Sequence, residues 1–213
     1  MNLKNKFVIT INRELGSGGR TVGRKLAEKL GVEFYDKALI NALQKKYNLT
    51  VDEIERLKGR EQGWWADIKH TFSSSDPDIY VKQEGFEPVL LEKEDVFRAE
   101  VEILKEIASE ESCIIAGRSG FYIFREHPNH LNILIQASMP CRVARMAKDQ
   151  NISEMEARET IEKVDQMREN YINQNANTSR YDTRNYQLVI SMDEINEDQA
   201  VELILNYIHS MSK

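Results

Sequence analysis

The 213 residues carry 29 Lys and Arg against 35 Asp and Glu, a formal net charge of −6, and 41% are hydrophobic. That length supports one sizeable core. The acidic balance argues against a broad nucleic-acid face, which needs clustered positive charge, but not against a small anion held by a local cluster. No apolar run reaches the ~20 residues that span a bilayer, and the first apolar run is too short for a signal peptide. The expectation is a cytoplasmic protein with no membrane or nucleic-acid partner. Cys113 sits in an apolar run and reads as a buried thiol; a disulfide or metal pair with Cys141 is the minor reading.

Taken in chain order, "FVITI" (Phe7–Ile11) is a β-branched run that reads as a buried strand. Val22, Leu26, Ala27 and Leu30 then fall at helical spacing, and Gly31 is a natural stop. "VEFYD" is a second strand, and Asp36 is placed to cap a following helix. Thr50 with Glu53 makes a capping-box pattern. Residues 59–92 hold three of the ten glycines and no sustained period, which reads as an irregular insertion; Trp64–Trp65 there suits packing onto a core, with base stacking as the alternative.

Periodicity then returns. Val96, Phe97, Val101, Leu104 and Ile107 mark one helix face. "CIIAG" and "LNILIQA" are further strands, Ser138 and Pro140 open a helix, and Ser153 with Glu156 opens a long polar one to about Asn173. "YQLVISM" is the last strand, and Asn196 caps a final amphipathic helix. About five short strands alternating with helices predict an α/β, three-layer doubly wound parallel sheet in one domain over 1–213. Ligands of such folds lie beyond the carboxyl ends of the strands, which singles out Asn12–Thr21, Arg118–Gly120 and Gln136–Arg145.

"GSGG" (Gly16–Gly19), between a strand and a helix, has the layout of a phosphate loop. There, backbone N–H groups grip phosphate oxygens and the helix start adds partial positive charge. The usual pattern is G-x-x-x-x-G-K-[ST], and two registers compete. With Gly18 as the last loop glycine, Gly19 holds the lysine position, Arg20 the Ser/Thr position and Arg13 the first glycine position. With Gly19 last, Arg20 replaces lysine, Thr21 keeps the metal-binding hydroxyl and Glu14 holds the first position. The second register keeps more of the chemistry, and in both Arg20 is the cation nearest the phosphates, with Arg13 as helper. From Arg118 to Arg184 there are eight arginines and two lysines. The planar fork of arginine suits phosphate.

"ITINRELGSGGRTVGRKLAEKLGVEFYDKALI", "IIAGRSGFYIFRE", "IQASMPCRVARMAKDQNISEMEARETIEKVDQMRENYI" and "NYQLVIS" together closely resemble the cytidylate kinase-like family of P-loop nucleoside monophosphate kinase relatives. The resemblance covers most of the chain and is weakest across 59–92. It implies a P-loop kinase fold with an inserted acceptor-binding region and a lid-bearing helical region over about 142–180. It further implies ATP and Mg²⁺ as cofactors, small-molecule nucleotide substrates, and a homodimer as an open option. By position it makes Gly16, Ser17, Gly18, Gly19, Arg20 and Thr21 the ATP-phosphate loop. It makes Asp36, Arg118 and Asp165 acceptor-site residues, and Arg142, Arg145 and Arg168 the arginines that approach the transferring phosphoryl group. Thr21 would help hold Mg²⁺.

The departure from the family pattern is the missing loop lysine. It leaves two readings: a phosphotransferase acting on CMP, dCMP or a similar small acceptor, or a nucleotide-binding regulatory protein without transfer activity. Plainer roles stand beside the functional ones. Arg142 and Arg145 share a helix face and suit solvent pairs with Asp149 or Glu154; Asp165 suits an i,i+3 pair with Arg168. "HPNH" (His127–His130) has a metal-like look but no acidic or cysteine ligand at useful spacing.

Overall fold

The computed structural model describes residues 1–36, 94–117 and 119–211. The helix expected after Asp36, the Thr50–Glu53 box, the insertion 59–92 and Arg118 lie outside the described residues. The chain divides into two compact units, Met1–Phe34 with Cys113–Lys213, and Tyr35–Ser112.

The described elements are β1 (Val8–Arg13), α1 (Gly19–Leu30), β2 (Glu33–Asp36), α2 (Glu94–Glu110), β3 (Cys113–Ala116), α3 (Gly120–Ile123), β4 (His130–Gln136), α4 (Met139–Gln150), α5 (Glu154–Ala176), a 3₁₀ turn (Thr183–Asn185), β5 (Leu188–Ser191) and α6 (Glu197–Met211). In sheet order the strands run β2–β3–β1–β4–β5. β1 pairs in parallel with β3 (Val8 opposite Cys113) and with β4 (Val8 opposite His130), and β4 pairs in parallel with β5 (Ile133 opposite Leu188).

The strands are continuously apolar because the sheet is covered on both sides. Ile9, Ile11, Ile133 and Ile135 pack with Val22 and Leu26 of α1 and with Val201, Ile204 and Ile208 of α6. Leu134, one residue out of phase, packs on the opposite face with Phe121 of α3, Ile172 of α5 and Tyr186. Side chains alternate across a strand, so these two sets define two covered faces and three layers. The expected α/β doubly wound parallel sheet is the architecture found. α3 and the 3₁₀ turn carry no sequence period and were not expected.

Local signals set the helix starts. Ser138 accepts a bond from the Cys141 N–H at 3.5 Å, with Pro140 in the first turn of α4. Ser153 and Glu156 form the expected capping box on α5. At the start of α6 the Gln199 N–H donates to Asn196 Oδ1 at 3.0 Å and the Asn196 N–H donates to Gln199 Oε1 at 2.9 Å. Val143 and Met146 of α4 pack with Ala157 and Ile161 of α5, joined by Leu15 from the loop after β1. This hairpin therefore seats its inner side against the glycine loop. Cys113 is buried and Cys141 partly so, and both are free thiols.

Candidate active site

The glycine loop follows β1 and leads into α1. The Ser17 N–H and hydroxyl both donate to the Glu14 carbonyl, at 3.3 and 2.9 Å, which tightens the turn. Gly16 and Gly18 sit at φ +79° and +81°, a left-handed region that side-chain-bearing residues rarely adopt. A Cβ on Gly16 would lie 2.8 Å from the Arg142 carbonyl oxygen, and one on Gly18 would meet the Arg145 guanidinium and, at 3.0 Å, Glu197 Oε1. No side chain caps the start of α1 and its first turn holds no acidic residue. The helix thus presents its N-terminal amides and dipole to the loop, the arrangement that holds phosphate. Arg20 is exposed in that first turn, Thr21 half-buried and Ser17 buried.

Asp165 of α5 is the hub of the side chains around the loop. Its Oδ1 accepts the Leu15 N–H at 3.2 Å, and its Oδ2 pairs with Arg142 Nη1. Arg168 lies 3.7 Å and Arg180 3.6 Å from Oδ1. Glu14 stands 3.7 Å from Arg142 Nε and accepts the Ala137 N–H at 3.0 Å. The solvent pairs considered for Arg142 with Asp149 or Glu154 give way to these. Val143 and Met146 turn the inner side of α4 toward α5, so Arg142 is buried rather than exposed. The i,i+3 contact of Asp165 with Arg168 is present, but it is one of several.

Arg180, like Glu14 and Glu197, is a site residue that sequence reasoning missed. It follows α5, is 1% exposed, and donates to the Arg13 carbonyl and, at 3.3 Å, to Asn12 Oδ1. Its own backbone is fixed: its N–H donates to Glu169 at 3.1 Å and its carbonyl accepts from the Tyr186 hydroxyl at 2.7 Å. The excess of arginine over lysine in this half pointed to the region, but no period marked the position. Arg168 donates to the Arg13 carbonyl at 3.5 Å. Burial first, and then the charges of Arg13 and Arg180, bring its pKa down to about 9.

Arg145 pairs with Glu197 at the start of α6. Although burial pushes the Glu197 carboxyl up, bonds from its own N–H and from Arg145 outweigh that and lower it. Asp36 closes β2 and is buried.

Arg142, Arg168 and Arg180 gather around Asp165, with Glu14 beside Arg142 and the charge of Arg13 close to Arg168. Three buried guanidinium nitrogens, Nε of Arg142 and Nε and Nη1 of Arg180, have no hydrogen-bond acceptor. Buried polar groups are ordinarily paired. Two of the three still face carboxylates at ion-pair range, Arg142 Nε at 3.7 Å from Glu14 and Arg180 Nη1 at 3.6 Å from Asp165; guanidinium donors held this loosely at the carboxyl ends of parallel strands suit an anion. Among the described residues no three His, Cys, Asp or Glu side chains come together to hold a metal, and His130 of "HPNH" bonds with Thr10 instead, at 2.7 Å. The Thr21 hydroxyl is one oxygen ligand, which fits Mg²⁺ arriving with nucleotide phosphates and water completing its shell.

A profile of the cytidylate kinase-like family matches residues 8–194. The chain belongs to this family. A protein of Eubacterium ventriosum described as uncharacterized superimposes with TM-score 0.70 and 23% identity, covering 96% of this chain and 99% of that one. The shikimate kinase of Bacteroides thetaiotaomicron superimposes with TM-score 0.52 and 14% identity, covering 95% and 98%. At these identities both likenesses describe the fold. In sequence, the chain is 28% identical over 119 residues to a shikimate kinase of Baumannia cicadellinicola, over 55% of this chain and 48% of the relative. It thus spans about half the length of that relative, and 61% of the shikimate kinase 1 of Citrobacter koseri. No described helix is long and apolar enough to cross a membrane.

Proposed function

We propose that this member of the cytidylate kinase-like family is an ATP-dependent phosphotransferase whose acceptor is a nucleoside monophosphate of the CMP or dCMP type. The observation that carries the reading is the set of buried guanidinium donors without hydrogen-bond acceptors, two of them held only by long ion pairs, beside an uncapped glycine-loop helix. Phosphoryl transfer is mostly positioning and charge neutralisation. The bond from the γ-phosphorus to the β–γ bridging oxygen breaks, that oxygen leaves with ADP, and an acceptor phosphate oxygen bonds to the same phosphorus.

The loop amides and Arg20 hold the donor phosphates. Thr21 would offer its hydroxyl to the Mg²⁺ that accompanies ATP, and the ion would supply charge neutralisation for the donor phosphates. Arg142, Arg145 and Arg168 neutralise the transferring group. Asp36, Arg118 and Asp165 orient the acceptor, and Asp165 also keeps Arg142 and Arg168 in place until the phosphoryl group competes for them. A second acceptor class, a small hydroxylated metabolite such as shikimate, is favoured by the names of the curated relatives.

The test is a coupled ADP-release assay with Mg·ATP and CMP, dCMP, UMP and shikimate as acceptors, run beside Arg118→Ala. Turnover that requires CMP or dCMP and collapses in the variant supports the first class. Turnover with shikimate alone moves the acceptor to the second. Saturable ATP binding without turnover on any acceptor makes the chain a regulatory nucleotide-binding protein instead.

A further inference from the structure

The missing loop lysine leaves a chemical vacancy, and the two registers of the loop fill it differently. In the register that ends at Gly18, two positions have exchanged character. Residue 13, where such loops carry a glycine, is arginine; residue 19, where they carry lysine, is glycine. The structure brings these two residues into contact. A Cβ on Gly19 would lie 2.8 Å from Arg13 Cβ, 3.3 Å from Arg13 Cδ and 3.2 Å from Ile135 Cβ. The first of these is closer than real side chains approach, and its partner is the rigid base of a side chain, which cannot swing away. A side chain at 19 and the arginine at 13 therefore exclude one another.

The rest of the Arg13 side chain runs on from there. Its Nη1 lies 2.9 Å from where a Cβ of Gly117 would stand, and Gly117 follows β3 at φ +83°. β1 and β3 are parallel neighbours, so the guanidinium lies in the crevice outside their carboxyl ends. The backbone carbonyl of Arg13 is held from the other side by Arg168 and Arg180. Glycine at 19 makes room for the stem, and glycine at 117 makes room for the head. Arg20 offers no such fit: it is exposed on the first turn of α1.

We propose that Arg13 does the work of the absent loop lysine, reaching the donor phosphates from the end of β1, and that Gly19 is glycine because the Arg13 side chain occupies its space. This rests on the phosphotransferase reading for the presence of donor phosphates at the loop. An arginine there also brings a two-pronged fork in place of the ammonium point charge, and so grips two phosphate oxygens at once.

The experiment is calorimetric binding of Mg²⁺ with AMP-PNP, a non-hydrolysable ATP analogue, and of AMP, to wild type, Arg13→Met, Arg20→Met, Gly19→Ala and the exchange Arg13→Gly/Gly19→Lys. Arg13→Met is expected to lose about tenfold or more in AMP-PNP affinity and to leave AMP affinity unchanged. A merely structural role would weaken both ligands alike. Gly19→Ala, a single methyl on a good helix former, is expected to displace Arg13 and reproduce that loss, and it serves alone if Arg13→Met does not fold. The exchange returns the glycine and the lysine to their usual places and is expected to recover AMP-PNP binding, while Arg20→Met, on the exposed first turn of α1, is expected to lose less than Arg13→Met. Wild-type-like binding by Arg13→Met or Gly19→Ala, or a loss confined to Arg20→Met, overturns the proposal and leaves the phosphotransferase reading standing. Absence of AMP-PNP binding by the wild type removes both.

Discussion

Two buried polar clusters share one compact unit of this chain, and they are built on opposite terms. Around Asp165, three arginines gather with Glu14 beside one of them, and three guanidinium nitrogens have no hydrogen-bond acceptor. Midway along β1 and β4, the Thr10 hydroxyl donates to Asn132 Oδ1 at 2.7 Å and lies 2.7 Å from His130 Nε2, while Asn132 donates to the Asn185 carbonyl. That second cluster is uncharged, and none of its buried atoms lacks a partner. A low-dielectric interior strengthens a satisfied network and penalises an incomplete one. The neutral cluster therefore stitches β1 and β4 to the segment before β5. The charged one holds its arginines partly by long ion pairs, at the carboxyl end of β1.

The contrast is open to attack, from the largest effect down. Asp165→Asn strips the arginines of their shared carboxylate. Breaking a buried pair commonly costs about 3–5 kcal/mol, and the urea midpoint is expected to fall accordingly. Millimolar inorganic phosphate should then stabilise the variant, because an anion substitutes for the lost charge. A variant as stable as wild type would show that the arginines are not held by Asp165.

His130 gives a pH test of the neutral cluster. Burial first, then the nearby His127, outweigh a bond to the Phe124 backbone and bring its pKa down from 6.5 to about 4. The folded state therefore resists a proton that the unfolded chain accepts. The contribution is complete above pH 6.5 and declines as pH falls toward about 4, by on the order of 3 kcal/mol. Urea melts of His130→Asn should show a shallower slope across that window than wild type, and an identical slope would contradict it.

Thr10→Val keeps the shape but removes the hydroxyl, and is expected to cost about 1–3 kcal/mol of stability. Ser153→Ala removes the capping hydroxyl of α5 on the exposed side, for about 1 kcal/mol. Thermal melts read both, and neither should alter nucleotide affinity.

The sheet and its helices were legible because their signals are local. Val22, Leu26 and Leu30 repeat at helical spacing, Ser138, Ser153 and Asn196 cap where expected, and the strands are apolar throughout because both faces are covered. The candidate site was legible only in part. Arg142, Asp165 and Arg168 stood out through the family resemblance. Glu14, Glu197 and Arg180 did not, because their partners lie 128, 52 and 15 residues away in sequence and only the fold brings them together. No spacing rule reaches that far. α3 has a four-residue span, too short to show a period.

The most direct test of the central claim is calorimetric titration of Mg²⁺ with AMP-PNP into wild type, Arg142→Met and Thr10→Val. The account expects saturable binding to wild type, a loss of about tenfold or more in Arg142→Met, and wild-type affinity in Thr10→Val despite its lower stability. Equal losses in the two variants, or no binding to any of the three proteins, would contradict the assignment of the charged cluster to a nucleotide phosphate.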